Sequence, residues 1–280
     1  MIKNILFGSD GSPYGAVAGE YAFDLADRLD ARLEAVHVVD SRRLEPMPMP
    51  HAAGCLTWMP PGIGDHLHTV LAERGKAILA DIAAEGERRG IPVQTSLEFG
   101  VPPLVFEQIQ ARTELVVLGR RGEHAASGGD YSGSTMDRFI RRASRCCLVT
   151  PGKFAPVGKI LVAVDGSVCA SRALQDAAEL ANALRAPLVI LTVSERESDL
   201  PDAATTAENA HSLVRAHDCA AAAMTAVGAP ALRILETAAS AGCDLVVLGM
   251  HGHGWIYDRL IGSVAAHVVS HAEIPVLLVR

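Results

Sequence analysis

The feature that most constrains the fold of this chain is an internal repeat. Residues 2–12, IKNILFGSDGS, and residues 158–167, GKILVAVDGS, are both short apolar runs that end in Asp-Gly-Ser. Each is followed by apolar positions at helical spacing: Tyr21, Ala22, Leu25, Ala26 and Leu29 in the first half, and Leu174, Ala177, Ala178, Ala181 and Leu184 in the second. That spacing predicts a helix with one apolar face. Ser12 then serves as cap, with Pro13 at the first helical position. A repeat on this scale means a unit that folds twice. At 280 residues the chain has room for two domains of about 140 residues each.

The halves keep matching further on. RLEAVHVVD (32–40) parallels PLVILTVSE (187–195), and the run Glu114 to Gly119 parallels Asp244 to Gly249. They close on Cys147–Thr150 and Val276–Val279. Continuous apolar runs of this length mark strands buried on both faces, as in a parallel sheet. Their alternation with helices predicts βαβ units with right-handed crossovers. The reading is an α/β chain of two tandem doubly wound parallel-sheet domains, 1–152 and 153–280, joined at Thr150-Pro151-Gly152-Lys153. Ligands of such folds sit beyond the carboxyl ends of the strands. Both Asp-Gly-Ser turns and the turns at Gly119 and Gly249 lie there.

Two stretches depart from the repeat. Residues 41–68 form an insertion in the first half, rich in Pro and Met. In the second half, Arg215 to Val227 is alanine-rich and holds no clear strand before Gly228, while Arg233 to Ala241 reads as helix.

The chemistry is concentrated in a glycine pattern. The second half carries Gly249-Met250-His251-Gly252, nine residues, then Gly262-Ser263. The first half carries Gly119-Arg120-Arg121-Gly122, ten residues, then Gly133-Ser134. Glycines let main-chain N–H groups approach a phosphate with no β-carbon in the way. Gly262-Ser263 opens a helix from Val264, and Gly133-Ser134 opens one near Thr135. Helix N-termini favour anions through their free amides and dipole. One such triplet would be an ordinary strand-to-helix turn; its recurrence after matching strands gives it context.

At these residues the chain resembles the universal stress protein family, whose ATP-binding pattern is Gly-x2-Gly-x9-Gly-Ser/Thr. Gly249, Gly252, Gly262 and Ser263 match it in full; Gly119, Gly122, Gly133 and Ser134 match it with one inserted residue. The resemblance covers nearly the whole chain, twice. It implies a Rossmann-like fold of the adenine nucleotide alpha hydrolase type. It implies Asp10 and Asp165 near the ribose, and backbone groups of Val38 and Val193 on adenine. The glycines and serines, with Val264 and Thr135 beginning the helices, would hold the phosphates, flanked by Arg121 and His251. Asp165 could instead merely brace its own turn. The implied ligand is ATP, with Mg2+ an open accompaniment. The implied role is regulatory binding in a stress response. The alternatives are a slow ATPase or adenylating enzyme, or an interaction protein with an inactive pocket.

Composition narrows the rest. A net charge of −7 argues against general nucleic-acid binding. No apolar run approaches the roughly 20 residues of a membrane span, and the start has no signal-peptide layout, so a cytoplasmic protein is expected. None of the six cysteines forms a Cys-x-x-Cys pair, which reads as idle thiols. His51, Cys55, His66 and His68 match no tetrahedral metal spacing well, so a solvated loop is expected there. There is no nucleophile elbow, no Lys-bearing P-loop and no His-Glu-x-x-His. The apolar last strand of each half predicts a sheet edge open to pairing, and the resemblance implies that the two edges meet, giving an intramolecular pseudo-dimer. Further homodimerisation would use the Met47–Met49–Trp58–Met59 segment, which could equally be a lid.

Overall fold

The computed structural model describes residues 2–43, 63–123, 134–217, 219–252 and 261–280. The first half runs β1 (Asn4–Gly8), α1 (Pro13–Leu29), β2 (Arg32–Asp40), α2 (Ile63–Arg89), β3 (Val93–Gly100), α3 (Pro102–Ile109), β4 (Leu115–Gly119), α4 (Ser134–Ile140) and β5 (Cys146–Thr150). The second half repeats this as β6 (Ile160–Ala163), α5 (Val168–Leu184), β7 (Leu188–Ser194), α6 (Leu200–Val214), β8 (Ala221–Val227), α7 (Pro230–Ser240), β9 (Leu245–Gly249), α8 (Ser263–His271) and β10 (Val276–Val279).

Strand order across the sheet is β3-β2-β1-β4-β5-β10-β9-β6-β7-β8. Each half is parallel throughout, and the two meet where β5 and β10 pair antiparallel through Leu148↔Leu277. The apolar terminal strands therefore satisfy each other's open backbone groups within one chain, as the family resemblance implies.

The strands are apolar on both faces because both faces are covered. Ile5, Phe7, Leu115, Val117, Ile160 and Val162 face the layer of α1 and α5. Their neighbours Leu6, Val116 and Leu161 face the opposite layer with Phe106, Phe139 and Val268. A fully buried side chain of this size contributes about 1.5–3 kcal/mol relative to exposure. The helix faces read from sequence are all buried: Tyr21, Ala22, Leu25, Ala26 and Leu29 on α1, and Leu174, Ala177, Ala178, Ala181 and Leu184 on α5.

The two leading helices begin and end alike. Ser12 Oγ accepts the Gly15 N–H at 3.1 Å, and Ser167 Oγ accepts the Ala170 N–H at 3.1 Å. Both close on a left-handed residue, Asp30 (φ 51°) and Arg185 (φ 53°). The turns before them need Gly11 (φ 77°) and Gly166 (φ 81°), where an L side chain would be strained.

Three sequence expectations change. The alanine-rich stretch does contain a strand: β8 pairs with β7 over seven residues, from Leu188↔Ala221 to Ser194↔Val227. It is an edge strand and mostly exposed, so it needs no apolar run, and alanine's weak strand preference hid it. The 41–68 insertion is shorter than read, because α2 starts at Ile63 and puts His66 and His68 on a helix, where His68 stacks on Phe99 at 4.9 Å. Residues 44–62, with His51, Cys55 and the Met47–Met59 segment, lie outside the described residues. Thr150 is fully buried in β5, so the linker begins after it.

That linker is held down. Tyr21 Oη donates to the Lys153 carbonyl at 3.4 Å and accepts the Ala155 N–H at 3.2 Å, while its ring meets Phe154 edge-on at 4.8 Å. Arg28 on α1 donates to Val157 O (2.8 Å) and Leu184 O (3.1 Å), which caps the end of α5. Among the described residues no helix is long and apolar enough to cross a membrane.

Candidate functional site

In the order 3-2-1-4-5, the chain reverses direction between β1 and β4, and between β6 and β9. A crevice opens at such a switch point beyond the carboxyl ends of the strands. Each half therefore has one crevice, walled by the Asp-Gly-Ser turn, the end of the second strand and the glycine loop.

The aspartates join two of these walls. Asp10 Oδ1 accepts the Ser12 N–H at 2.9 Å, and its Oδ2 accepts the Glu123 N–H at 2.7 Å. A β-carbon on Gly122 would come within 2.7 Å of that Oδ2. Asp165 Oδ1 accepts the Ser167 N–H at 2.9 Å, and a β-carbon on Gly252 would come within 2.9 Å of its Oδ2. So each aspartate braces its own turn and also receives the second glycine of the pattern. The two readings of Asp165 are compatible.

The first glycine has a different reason. A β-carbon on Gly119 would sit 2.8 Å from Tyr14 O, and one on Gly249 would sit 3.0 Å from Cys169 C and Cβ. These glycines let the glycine loop lie against the first turn of α1 or α5. A β-carbon at either would run into that helix turn.

The third glycine closes the loop in the second half. Gly262 N–H donates to Met250 O at 2.8 Å, which folds residue 262 back over His251 and Gly252. Gly262 is the N-cap of α8 and offers no side chain to its first amides, so among the described residues the N–H groups of Ser263, Val264 and Ala265 have no side-chain cap. Ser263 is exposed and Val264 half-buried. In the first half α4 begins at Ser134 with Thr135 half-buried, while Gly133 lies outside the described residues.

The adenine-side positions are symmetric too. Ser9 N–H donates to Val36 O (3.0 Å), and Val164 N–H donates to Leu191 O (2.9 Å). Strand groups repeat their direction every second residue. Hence the N–H and C=O of Val38 and of Val193 point the same way, past the end of the neighbouring strand and over the crevice.

The two crevices differ beneath those positions. In the first, His37 is buried and its Nδ1 lies 2.8 Å from Ser9 O. Burial pushes this imidazole below its ordinary value near 6.5, against the opposing bond to Ser9. Asp10, Arg74 and Glu123 also act on it, so it lies under the rim formed by those groups. Arg74 on α2 pairs with Glu123 at 2.6 Å across the mouth. In the second half Thr192 stands at the position of His37 and Ser194 at that of Val39, and their buried hydroxyls have no hydrogen-bond partner among the described residues.

Arg121 stays half-buried at the loop, as does His251. Its neighbour Arg120 turns away. It donates to Ser270 O (3.3 Å) and Ala272 O (2.5 Å) at the far end of α8. His37, Arg74, Glu123, Thr192 and Ser194 were not singled out from sequence. Only the position of His37 and Thr192 beside Val38 and Val193 could have flagged them. The idle-thiol reading fits Cys146, whose thiol burial pushes up to about 12.

Comparison with known proteins supports one family. The model of the universal stress protein family matches residues 1–151 and 156–280. A universal stress protein of Synechocystis is 29% identical over 100% of both chains. One of Mycobacterium tuberculosis is 28% identical, covering 99% of this chain and 96% of its own. The crystal structure of a universal stress protein from Archaeoglobus fulgidus superposes with a TM-score of 0.76 at 20% identity, over 98% of this chain and 97% of that one, which speaks to the fold. Matched twice along its length, the chain belongs to the universal stress protein family.

Proposed function

We propose that this protein is an adenine-nucleotide-binding regulator that holds ATP chiefly in its second half. The observation that carries the reading is the loop closure by Gly262 N–H on Met250 O, which sets the uncapped amides of α8 beside the Gly252 turn. Free N–H groups and the positive end of a helix dipole converge there, which suits a phosphate chain. Asp165 stands next to that turn for the ribose hydroxyls. The backbone of Val193 overhangs the crevice and would meet the base. Mg2+ would accompany the phosphates and needs no dedicated protein cage.

Heating the protein with and without ATP–Mg tests the reading, because a ligand that binds only the folded state raises the melting temperature. Gly262→Val is the matching variant. A side chain there would lie over Gly252 N and His251 Cα, each 3.8 Å from the β-carbon. Loss of ATP binding in this variant is expected, and undiminished binding would remove the assignment. Multiple-turnover phosphate release from the parent protein would move it to the slow-ATPase alternative.

A further inference from the structure

Helix α8 touches both crevices. Its N-terminal amides belong to the second, as above. Its C-terminal carbonyls, Ser270 O and Ala272 O, are held by Arg120, which is part of the first crevice's Gly119–Gly122 loop. At nine residues the helix spans only about 13 Å. Arg120 is fixed at its backbone as well, since its N–H donates to Thr150 O at 3.0 Å. Two residues further on, Gly122 abuts the Asp10 carboxylate.

A second brace runs the opposite way from a different residue. In the second half the position matching Arg120 is Met250, which is buried and whose N–H donates to Val279 O at 2.7 Å. The next residue, Arg280, donates to Ala143 O at 2.5 Å, just past the end of α4. So each half's phosphate helix is gripped at its tail by an arginine anchored beside the other half's glycine loop.

The Arg120 grip is poorly suited to intermediate positions. Its Nε is buried and has no hydrogen-bond partner, and its charge is partly desolvated. The carbonyls at the end of α8 compensate that half-buried cation, with the charge of Glu273 acting on it as well. A shift of the helix would take both carbonyl acceptors from it together, a costly change for a partly desolvated charge. Packed elements of this kind respond by switching rather than by stretching.

Resting on the nucleotide reading above, we propose that the two crevices are coupled through α8 and Arg120, so that filling one favours filling the other. A phosphate at the N-terminus of α8 seats the helix. The seated helix holds Arg120, and Arg120 holds the Gly119–Gly122 loop against Asp10. By linkage the effect has the same size in both directions.

Calorimetric titration of the full chain with ATP–Mg tests this, with Arg120→Met and Arg120→Lys alongside. The parent should give two sites whose second event is about five-fold or more tighter than independent sites allow. Arg120→Met should bring that factor to one, and Arg120→Lys, with a single-point donor, should lie between. Two independent sites in the parent, or unchanged coupling in Arg120→Met, would overturn the coupling and leave the nucleotide reading standing. No binding heat at all would overturn the nucleotide reading itself, and the coupling with it. Hydrogen exchange gives a check that does not depend on Arg120 variants. In Gly262→Val, where only the first crevice takes ATP, the nucleotide should slow exchange of the Ala272 amide, which bonds Val268 O at 2.8 Å, by several-fold. No change there would also overturn it.

Discussion

The first and second crevices share a plan but differ in how far they are already filled by the protein. In the first, His37 spends its Nδ1 on Ser9, and Arg74 and Glu123 pair across the mouth. In the second, the equivalent wall carries two buried hydroxyls with no partner. Polar groups that are buried without protein partners are uncommon. The crevice with the intact spacing is thus also the one with unspent hydrogen-bonding capacity. Duplication gave both halves the same scaffold, and the divergence is concentrated on the walls.

The largest expected effect tests the scaffold they share. Gly119→Val would drive a side chain into Tyr14 O and should cost about 3 kcal/mol, with Gly249→Val somewhat less because its contact is looser. Urea unfolding measures both, and parent-like midpoints would mean the loop does not rest on the helix as described.

The next test separates the walls. Thr192→Val removes an orphan hydroxyl and should stabilise the empty protein by about 1 kcal/mol, whereas His37→Val breaks a made bond and should destabilise it by about 2 kcal/mol. If Thr192→Val stabilises the empty protein while weakening ATP binding, that hydroxyl contacts the ligand. Destabilisation by Thr192→Val would show that the hydroxyl is already satisfied.

Much of this was legible in the sequence, and the limits have physical causes. The repeat, both apolar helix faces and the Asp-Gly-Ser turns were readable because each follows from local periodicity or turn chemistry, while the pairing of the last strands came from the family resemblance. Strand β8 was not, since an exposed edge needs no apolar signature. The fate of Arg120 was not either. Two adjacent arginines in a loop look alike in sequence, and only the end of α8, 150 residues away, decides which way one of them turns. Gly119 and Gly122 belong to one motif, yet one serves packing and the other makes room at a carboxylate. Spacing alone does not divide those roles.

A pH effect should distinguish the halves more gently. His37 is held below its ordinary value, so between its folded value and about 6.5 the unfolded chain binds the extra proton. Its contribution is complete above about 6.5 and falls as the pH drops through that window. Thermal melts from pH 7 to pH 5 should show a slope that is smaller in His37→Gln, and an equal slope in both proteins would discard the assignment.

The smallest effect concerns the first mouth. The Arg74–Glu123 pair is partly exposed, with 45% and 32% of the side chains accessible, so it is worth under about 1 kcal/mol. Glu123→Ala takes a negative charge from beside Asp10. Measured in the Gly262→Val background, it should raise ATP affinity of the first crevice by about two- to five-fold. A decrease would mean that the carboxylate helps to bind rather than to exclude.

The seam between β5 and β10 has a consequence for dose. Two separate subunits joined by so few rungs would part on dilution, and each crevice would then stand alone. Here the connecting segment is short and tied to Tyr21, so the partner is always present at high effective concentration. The ratio of the two crevices is fixed at one to one at every expression level. Each can therefore specialise without being diluted by copies of the other.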